Sequence, residues 1–408
     1  MNDLFPAVTT SDLAARAAAA LTPNYRPAPL VLVSGKGCRV TDKDGRTYLD
    51  MVGGIAVNSL GHAHPRLVAA IAEQAATLIH VSNLYINEPA IAFGEMVKKV
   101  SFADRVFFAN SGTEANEAAL KLARRFQAEV RKSPHQAGFL AFHDSFHGRS
   151  YGALSVTGQP KYHHGFEPLV PGARFATFGD LDQCRAEMSD GKVGAIIVEP
   201  IQCEGGINMP PPGFLEGLRA LADDHGAVLI FDEVQTGVGR TGTWWAYEHT
   251  DIVPDVVTTA KGVAGGVPLG VMMCNEKVAA GFVPGSHAST FGGNALATRA
   301  GLEVFQVIEE DGLLENARTR GAQLAAGLEA LRVAHPDKAV AQRGRGLVQG
   351  LELADAALVN RVVDGCRVAG LLVNAVQGKT LRFVPPLIVS AAEIDEALVT
   401  VGGVLAAS

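Results

Sequence analysis

The sequence predicts an α/β protein with a large domain, whose mostly parallel sheet is covered by helices, and a small α+β domain. The chain has 408 residues, 48% of them hydrophobic, which is too long for one small core. Short apolar segments alternate with amphipathic stretches from about residue 61 to 308, which is typical of parallel strands buried on both faces. Strand patterns with turn residues occupy both chain ends, so both ends are expected to build the small domain.

Residues 1–60 are expected to form the first part of the small domain. Thr10–Asp12 has the composition of a helix cap ahead of the alanine-rich run to Ala20. Asp44–Gly45 suits a tight turn between strands. Three alternating segments predict those strands: Val31–Val33, Cys38–Thr41 and Thr47–Leu49.

Residues 61–312 are expected to form the large domain and residues 313–408 the rest of the small one. After Gly312 the pattern predicts a long helix, then short strands around Gly344–Gly350, and a last helix near Glu393–Ala407. Five apolar segments predict the strands of the large sheet: Arg105–Phe108, Gly138–Phe142, Ala195–Val198, Val228–Phe231 and Val256–Thr259.

Composition excludes several classes of function. A net charge of −7 argues against a nucleic-acid partner, and no apolar run approaches the ~18–20 residues that span a membrane. Five scattered cysteines without a CxxC pair argue against a disulfide framework or a metal site. The opening MNDLFPAVTTSDL lacks the features of a signal peptide, so we expect a cytoplasmic protein.

Asn110–Glu114 follows a predicted strand and opens a predicted helix. Ser111 and Glu114 fit a capping box, so an ordinary capped helix is one interpretation. The other is an anion site, because Gly112 lets a ligand approach the free N–H groups and the helix dipole favours a phosphate. Open α/β sheets bind ligands at such strand ends.

Two further polar groups end apolar strands. Asp232–Glu233 either caps the next segment or provides a carboxylate for a protonated pyridine nitrogen. Lys261 is either a surface lysine or an amine that attacks a carbonyl to form a Schiff base. A phosphate site, a carboxylate and a lysine on successive strand ends together favour a cofactor site.

Gly237–Gly242 matches the dinucleotide pattern G-x-G-x-x-G but in the wrong context. Asp232–Glu233 separates these glycines from the strand, and Trp244–Trp245 follows where a helix should begin. A nicotinamide site is therefore the weaker interpretation.

These motifs resemble those of the class III, ornithine-type aminotransferases, which are fold-type I pyridoxal-phosphate enzymes. The resemblance is greatest to the branch that acts on acetylornithine or succinylornithine in arginine biosynthesis. It implies a homodimer and ping-pong transfer to 2-oxoglutarate, with L-glutamate as product. The matching segments are GKGCRVTDKDGRTYLD, LGHAHP, NSGTEANE, FHGRS, VEPIQCEGG, FDEVQTGVGRTG, TTAKG, STFGGN and LRFVPPL.

The resemblance assigns roles around the cofactor ring. Lys261 would bind pyridoxal 5′-phosphate covalently and then move a proton between substrate and cofactor carbons. Asp232 would pair with the pyridine nitrogen. Phe146 and Val234 would cover the two ring faces, and Gln235 would reach the phenolic oxygen.

The resemblance also implies a phosphate site shared between subunits. Ser111, Gly112 and Thr113 would hold the phosphate, and Thr290 would come from the neighbouring subunit. Two more side chains would line the same pocket: His147 and Glu199.

Four residues are expected to select the substrates. Arg149 would bind a distal carboxylate, and Ser289 would help to place an acylated ornithine. Arg382 would take the α-carboxylate of glutamate in a bidentate fork, and Glu204 would mask it when the acylated donor is bound. For each arginine alone, a surface or interdomain salt bridge is the alternative.

Two departures from the family pattern bear on specificity. Gly53–Val57 lacks the tyrosine common in the ornithine branch, which weakens free ornithine as substrate. Cys203 stands where glycine is common. The alternatives left open are an ω-aminotransferase for 4-aminobutyrate, ornithine or diamines, and an aminomutase that needs no oxo acid.

Overall fold

The computed structural model describes residues 8–408. The start of the predicted segment 1–60 and part of the N-terminal sequence judged to lack a signal peptide lie outside the described residues. Within the described part, no helix is both long and apolar enough to cross a membrane. The first helix begins at Thr10, where the side chain of Thr9, one residue before the predicted cap, accepts from Asp12 N–H.

The strands fall into three groups along the chain. The first group is β1 (Leu32–Lys36), β2 (Arg39–Asp42) and β3 (Thr47–Asp50). The second is β4 (Arg105–Ala109), β5 (Gly138–Phe142), β6 (Ala173–Ala176), β7 (Val193–Val198), β8 (Val228–Asp232), β9 (Val256–Thr259) and β10 (Gly270–Cys274). The third is β11 (Ala339–Arg345), β12 (Val348–Leu353), β13 (Leu371–Leu372), β14 (Asn374–Val376) and β15 (Thr380–Phe383).

The helices alternate with these strands. In chain order they are α1 (Thr10–Ala20), the short turn α2 (Gly53–Ala56), α3 (Pro65–Thr77), α4 (Glu88–Lys99), α5 (Gly112–Arg125), α6 (Tyr151–Ser155), α7 (Leu181–Met188), α8 (Phe214–His225), α9 (Glu276–Ala279), α10 (Ala295–Glu310), α11 (Leu313–Ala334), α12 (Ala356–Val368) and α13 (Ala391–Ala407). One-turn 3-10 or π segments lie at Phe126–Val130, Pro160–Tyr162, Ala246–His249 and Lys261–Ala264.

The large sheet has the order β4-β10-β9-β8-β7-β5-β6. Its pairs from β9 to β6 are parallel, and β10 is antiparallel to both of its neighbours. The predicted α/β class with a mostly parallel sheet is therefore confirmed. Strands β6 and β10 were not predicted.

Both faces of the large sheet are buried, as its apolar strands require. Ile197 and Ile230 face α5, whereas Ile196 and Leu229 on the same strands belong to a second core with α8. Alternate side chains of a strand point to opposite faces, which explains this division. Residues at or just after the carboxyl ends of β7, β8 and β9 line one pocket, namely Glu199, Asp232 and Lys261.

The two chain ends meet in one small sheet. Strand β13, from the C-terminal part, pairs in parallel with β3, from the N-terminal part, in the sheet β1-β2-β3-β13. A second small sheet has the order β11-β12-β15-β14. The domain limits at 60 and 312 remain predictions.

Candidate active site

A pocket of about 310 Å³ lies at the carboxyl ends of the strands of the large sheet. It gathers residues that are far apart in the sequence. Its lining includes Val57, Asn110, Ser111, Gly112, Thr113, Asn116, Phe146, His147, Glu199, Glu204, Asp232, Val234, Gln235 and Lys261. The helix start, the carboxylate and the lysine that the sequence singled out therefore share one cavity.

The N-terminus of α5 opens into this pocket. Ser111 is the N-cap, and its hydroxyl accepts from Glu114 N–H at 3.3 Å. The carboxylate of Glu114 accepts from Asn110 N–H at 2.6 Å, not from Ser111 N–H as a capping box requires. Gly112 and Thr113, in the first turn, have no carbonyl four residues earlier in the helix, so their N–H groups are available to an anion.

A glycine is required at position 112 because Val234 lies directly against its backbone. A Cβ at Gly112 would lie 2.7 Å from Cγ1 of Val234, which is too close for any side chain. The backbone of α5 and the side chain of Val234 therefore pack directly against each other. This contact fixes the distance between the helix start and the strand end that carries Asp232.

The hydroxyl of Thr113 is engaged within the protein. It lies 2.6 Å from the hydroxyl of Ser150 and accepts from Ser150 N–H at 3.2 Å. A Cβ on Gly148 would clash with the same hydroxyl. The loop after Phe146 is thus held against the start of α5.

Asp232 is a buried hydrogen-bond acceptor in the pocket. Its Oδ2 accepts from Asn116 Nδ2 and pairs with His147 Nδ1, both at 2.7 Å, and its Oδ1 accepts from Val234 N–H at 3.0 Å. The side chain of His147 is fully buried, and its Nε2 has no partner among the described residues. His147 therefore acts through Asp232.

Asn116 lines the pocket and was not predicted from the sequence. It bridges Asp232 and the carbonyl of His147 through Nδ2, and its Oδ1 accepts from Thr258 Oγ1 at 2.6 Å. The available signal was a polar residue on the buried face of α5, four positions after Gly112.

Glu233 has a structural role instead. It is fully buried and accepts from Ala246 N–H at 2.6 Å and from Tyr247 N–H at 2.9 Å, at the start of the turn Ala246–His249. Burial raises its pKa to about 8, against the lowering effect of these hydrogen bonds. Glu233 therefore has the capping role that was one interpretation of Asp232–Glu233, whereas Asp232 lines the pocket.

Lys261 follows β9 and lines the pocket. Its φ of +32° is rare for a residue with a side chain, and it opens the turn Lys261–Ala264. The hydroxyl of Ser59 donates to the carbonyl of Gly262 at 3.1 Å and ties this turn to the N-terminal segment. Strained backbone of this kind persists where the surroundings determine it, often at active sites.

Glu199 is a second buried carboxyl group in the pocket. It accepts from Phe146 N–H at 2.8 Å and from Cys203 N–H at 3.3 Å. Burial, followed by the nearby charge of Asp232, raises the pKa of Glu199 well above its usual value. Cys203 is fully buried, and the same burial raises the pKa of its thiol, so it is not a reactive thiolate.

Arg382 is buried beside the pocket and contacts Glu204, which lines it. Arg382 Nη1 donates to Glu204 Oε1 and, at 2.9 Å, to Gln235 Oε1. Gln235 Nε2 donates back to Glu204 at 3.1 Å. Burial alone would raise the pKa of Glu204, but the cations Arg382 and Lys261 outweigh it and hold that pKa below its usual value.

Arg149 is exposed beside the pocket and stacks on an aromatic side chain. Its guanidinium carbon lies 3.7 Å from the ring centre of Tyr162 and 5.4 Å from that of Phe146. The two rings meet edge to face. Tyr162 was not predicted, because it lies thirteen residues after Arg149, in the one-turn segment Pro160–Tyr162, which carries no chemical motif.

Ser289 and Thr290 lie outside this pocket in the single chain. Both line a neighbouring cleft together with Phe107 and Phe291. The hydroxyl of Ser289 accepts from Gly292 N–H at 3.0 Å and from Asn110 Nδ2 at 3.2 Å. The chain therefore does not bring these two predicted residues to its own Lys261.

The glycine motif Gly237–Gly242 does not form a nucleotide loop. Arg240 within it is fully buried and donates to the carbonyls of Leu347, at 3.3 Å, and Pro385. Burial lowers the pKa of Arg240 to about 10. The motif thus contacts the C-terminal part of the chain.

Comparison with known proteins gives consistent matches over most of the chain. The family model for class-III aminotransferases matches residues 20–405. An acetylornithine aminotransferase of Caldanaerobacter subterraneus is 47% identical over 386 residues, covering 94% of this chain and 97% of that protein.

Solved structures agree with these matches. An ornithine aminotransferase of Toxoplasma gondii superposes with a TM-score of 0.95 at 33% identity, covering 98% of this chain and 96% of the other. An N-acetylornithine aminotransferase of Stenotrophomonas maltophilia has a TM-score of 0.82 at 35% identity, covering 94% and 97%.

Proposed function

The chain belongs to the class-III aminotransferase family, and from that premise we propose that it transfers the amino group of N-acetylornithine to 2-oxoglutarate. The products are N-acetylglutamate semialdehyde and L-glutamate, and succinylornithine is a second donor. One observation carries the choice of substrates. The pocket region holds two arginines in different states, Arg382 masked by a carboxylate and Arg149 stacked on an aromatic ring.

Pyridoxal 5′-phosphate is the cofactor of this family, and the residues present fit it. The first-turn N–H groups of Gly112 and Thr113 suit its phosphate, with Ser111 as cap. Asp232, with donors already on both oxygens, suits the pyridinium nitrogen. Four more lining residues complete the assignment: Phe146 and Val234 at the ring faces, Gln235 at the phenolic oxygen and Lys261 as the covalent attachment.

When bound, the cofactor supplies a cationic ring that withdraws electrons from the carbon bearing the reacting amine. Asp232 keeps the proton on the ring nitrogen by electrostatic attraction. His147 and Asn116 orient Asp232 through hydrogen bonds of 2.7 Å. Lys261 Nζ would hold the cofactor, and its amine would carry the proton that leaves the substrate carbon.

The two arginines explain how one pocket accepts two different amine donors. Arg149 binds the carboxylate of acylornithine that lies far from its reacting amine, and Tyr162 orients the guanidinium. Arg382 binds the α-carboxylate of glutamate after Glu204 has moved away. While acylornithine is bound, Glu204 stays on Arg382, so no unpaired charge faces the apolar carbons of the substrate.

We also propose that the enzyme is a homodimer with shared active sites. Leu84, Tyr85 and Ile86 are large side chains that are 84%, 71% and 86% exposed, and Phe291 beside Thr290 is 60% exposed. Such an apolar surface favours association with a second copy. Thr290 then reaches the phosphate of the partner's site, and Ser289 its substrate. All five cysteines are free, which supports a location in the cytoplasm.

A steady-state comparison of donors tests the substrate proposal. Purified enzyme with pyridoxal 5′-phosphate and 2-oxoglutarate is given acetylornithine, succinylornithine, ornithine or 4-aminobutyrate. We expect the largest kcat/KM with an acylornithine and no reaction without the oxo acid. A higher kcat/KM with free ornithine, the substrate named for the Toxoplasma structure, would replace the proposal.

A further inference from the structure

A row of four residues crosses the C-terminal sheet next to the pocket. Arg343 on β11 pairs with Gly350 on β12, Gly350 with Arg382 on β15, and Arg382 with Asn374 on β14. Residues opposite each other on neighbouring strands point to the same face of the sheet. The row therefore presents Arg343, Arg382 and Asn374 on one side.

The loop that carries Glu204 rests on this row. Arg343 Nε donates to the carbonyl of Gly206 at 2.9 Å, and Arg343 Nη1 donates to Glu352 at 2.6 Å on the neighbouring strand. The pair with Glu352 holds the arginine in position for the loop. The backbone two residues after Glu204 is thus fixed to the small domain.

Gly350 lets the loop lie close to the sheet. A Cβ at this position would lie 2.9 Å from Cγ1 of Ile207, which belongs to the same loop. Ile207 is fully buried against this surface. The loop is therefore anchored at Gly206 and Ile207, whereas the Glu204 side chain remains partly accessible.

Asn374 holds Arg382 from the side away from Glu204. Arg382 Nε donates to Asn374 Oδ1 at 3.3 Å, whereas the bonds to Glu204 and Gln235 both come from Nη1. The side chain of Arg382 is 1% exposed. When Glu204 leaves, the bond to Asn374 still fixes the plane of the guanidinium group, and its Nη groups face the incoming carboxylate.

We propose that Asn374 and Arg343 are positioning residues for the exchange of the two substrates, an inference that rests on the proposed function. Asn374 keeps Arg382 oriented while the α-carboxylate of glutamate replaces Glu204. Arg343 keeps the loop backbone in place, so that only the Glu204 side chain moves and returns to mask Arg382 for acylornithine. The two residues thus serve opposite half-reactions.

Single-turnover kinetics of each half-reaction test this assignment. The holoenzyme is mixed with glutamate or with acetylornithine, and the change in cofactor absorbance gives a limiting rate and an apparent Kd. For Asn374→Leu we expect the apparent Kd for glutamate to rise about tenfold, as for loss of a hydrogen bond to a charged group, with little change for acetylornithine. For Arg343→Met we expect the apparent Kd to rise more for acetylornithine than for glutamate.

Asn360→Leu is the matched control, because Asn360 is exposed on α12 of the same domain and should leave both half-reactions unchanged. If Asn374→Leu does not fold, Asn374→Ala removes the same acceptor without added bulk and carries the same expectation. If a variant raises the apparent Kd equally for glutamate and for acetylornithine, or changes neither, the inference is overturned. A wild-type enzyme that reacts with glutamate but not with acetylornithine refutes the proposed function instead.

Discussion

Asp232 and Glu233 are neighbouring carboxylates whose hydrogen-bond partners differ completely. Asp232 contacts two side chains of the pocket, His147 and Asn116, whereas Glu233 caps the turn that begins at Ala246. Successive residues at a strand end point to opposite sides, so one carboxylate faces the pocket and the other faces the domain interior. We therefore expect function at this strand end to depend on Asp232 alone.

The charge of Asp232 can be removed with little change of shape. Asp232→Asn should lower kcat for acetylornithine by about 10²–10³-fold, since an electrostatic contact of this kind contributes ~3–4 kcal/mol to the transition state. Steady-state rates at saturating cofactor measure the effect. Asp251→Asn, at an exposed position, is the control. A rate within threefold of wild type would exclude the role of Asp232.

Single residues could be predicted from the sequence where they stand in a motif. Lys261, Asp232 and the Ser111–Thr113 segment end strands or begin helices, and the structure brings them to one pocket. Asn116 and Tyr162 escaped prediction, because their importance comes from contacts with Asp232 and Arg149 across the fold.

At the scale of one element, helix α5 is both part of the buried core and part of the pocket. Its buried face packs on the large sheet, and its first turn opens into the pocket. The start of α5 is fixed by Val234 on one side and by Gly270 of β10, where a Cβ would clash with the carbonyl of Ser111. The periodicity predicted the helix, but the two contacts that position its start are visible only in the structure.

Adding one methyl group to the start of α5 should disturb cofactor binding more than folding. Gly112→Ala places a Cβ 2.7 Å from Val234, so the helix start and the strand end must separate. We expect at least a tenfold weaker affinity for pyridoxal 5′-phosphate, because displacing donors from a phosphate costs about 1–3 kcal/mol. Fluorescence titration of the apoenzyme measures it. Gly94→Ala on α4, where a Cβ meets only one atom at 3.9 Å, is the control. Unchanged affinity would contradict this packing argument.

The turn Ala246–His249 should make stability depend on pH. Burial, followed by the charge of Arg345, lowers the pKa of His249 to about 4 from its usual 6.5. In the unfolded chain His249 takes up a proton below about pH 6.5, but in the folded chain it does so only below about pH 4. Between these values the unfolded state binds more protons, so His249 lowers the free energy of unfolding as the pH falls.

Replacing this histidine should reduce that dependence. In His249→Gln, the free energy of unfolding from urea titrations should fall less steeply between pH 6.5 and 4 than in the wild type. His164→Gln, at an exposed position, should keep the wild-type slope. The same slope in His249→Gln and wild type would show that His249 takes up its proton normally when folded.

At the scale of the whole molecule, the site depends on parts of the chain that are distant in sequence. Arg382 comes from the C-terminal sheet, and Arg240 joins that region to the large domain. The sequence predicted the fold class and five of the seven strands of the large sheet. It could not predict how β3 and β13 pair, because that contact joins chain ends more than three hundred residues apart.

Hybrid dimers test the shared site. Lys261→Ala and Thr290→Val chains are expected to be impaired separately, but a hybrid dimer regains one site with both native residues. With equal co-expression, half of the dimers are expected to be hybrids, and each hybrid has one intact site of two. About a quarter of the wild-type number of active sites should therefore be restored. Activity equal to the mean of the two parent variants would mean that each chain supplies its own Thr290.

The most direct test of the whole account is the loss of the Lys261 amine. We expect Lys261→Ala to fold and to bind pyridoxal 5′-phosphate, yet to transfer the amino group of acetylornithine to 2-oxoglutarate at least about 10³-fold more slowly. Lys277→Ala, at an exposed position on α9, should retain full activity. Transamination by Lys261→Ala within tenfold of the wild-type rate would contradict the assignment of this pocket as the active site.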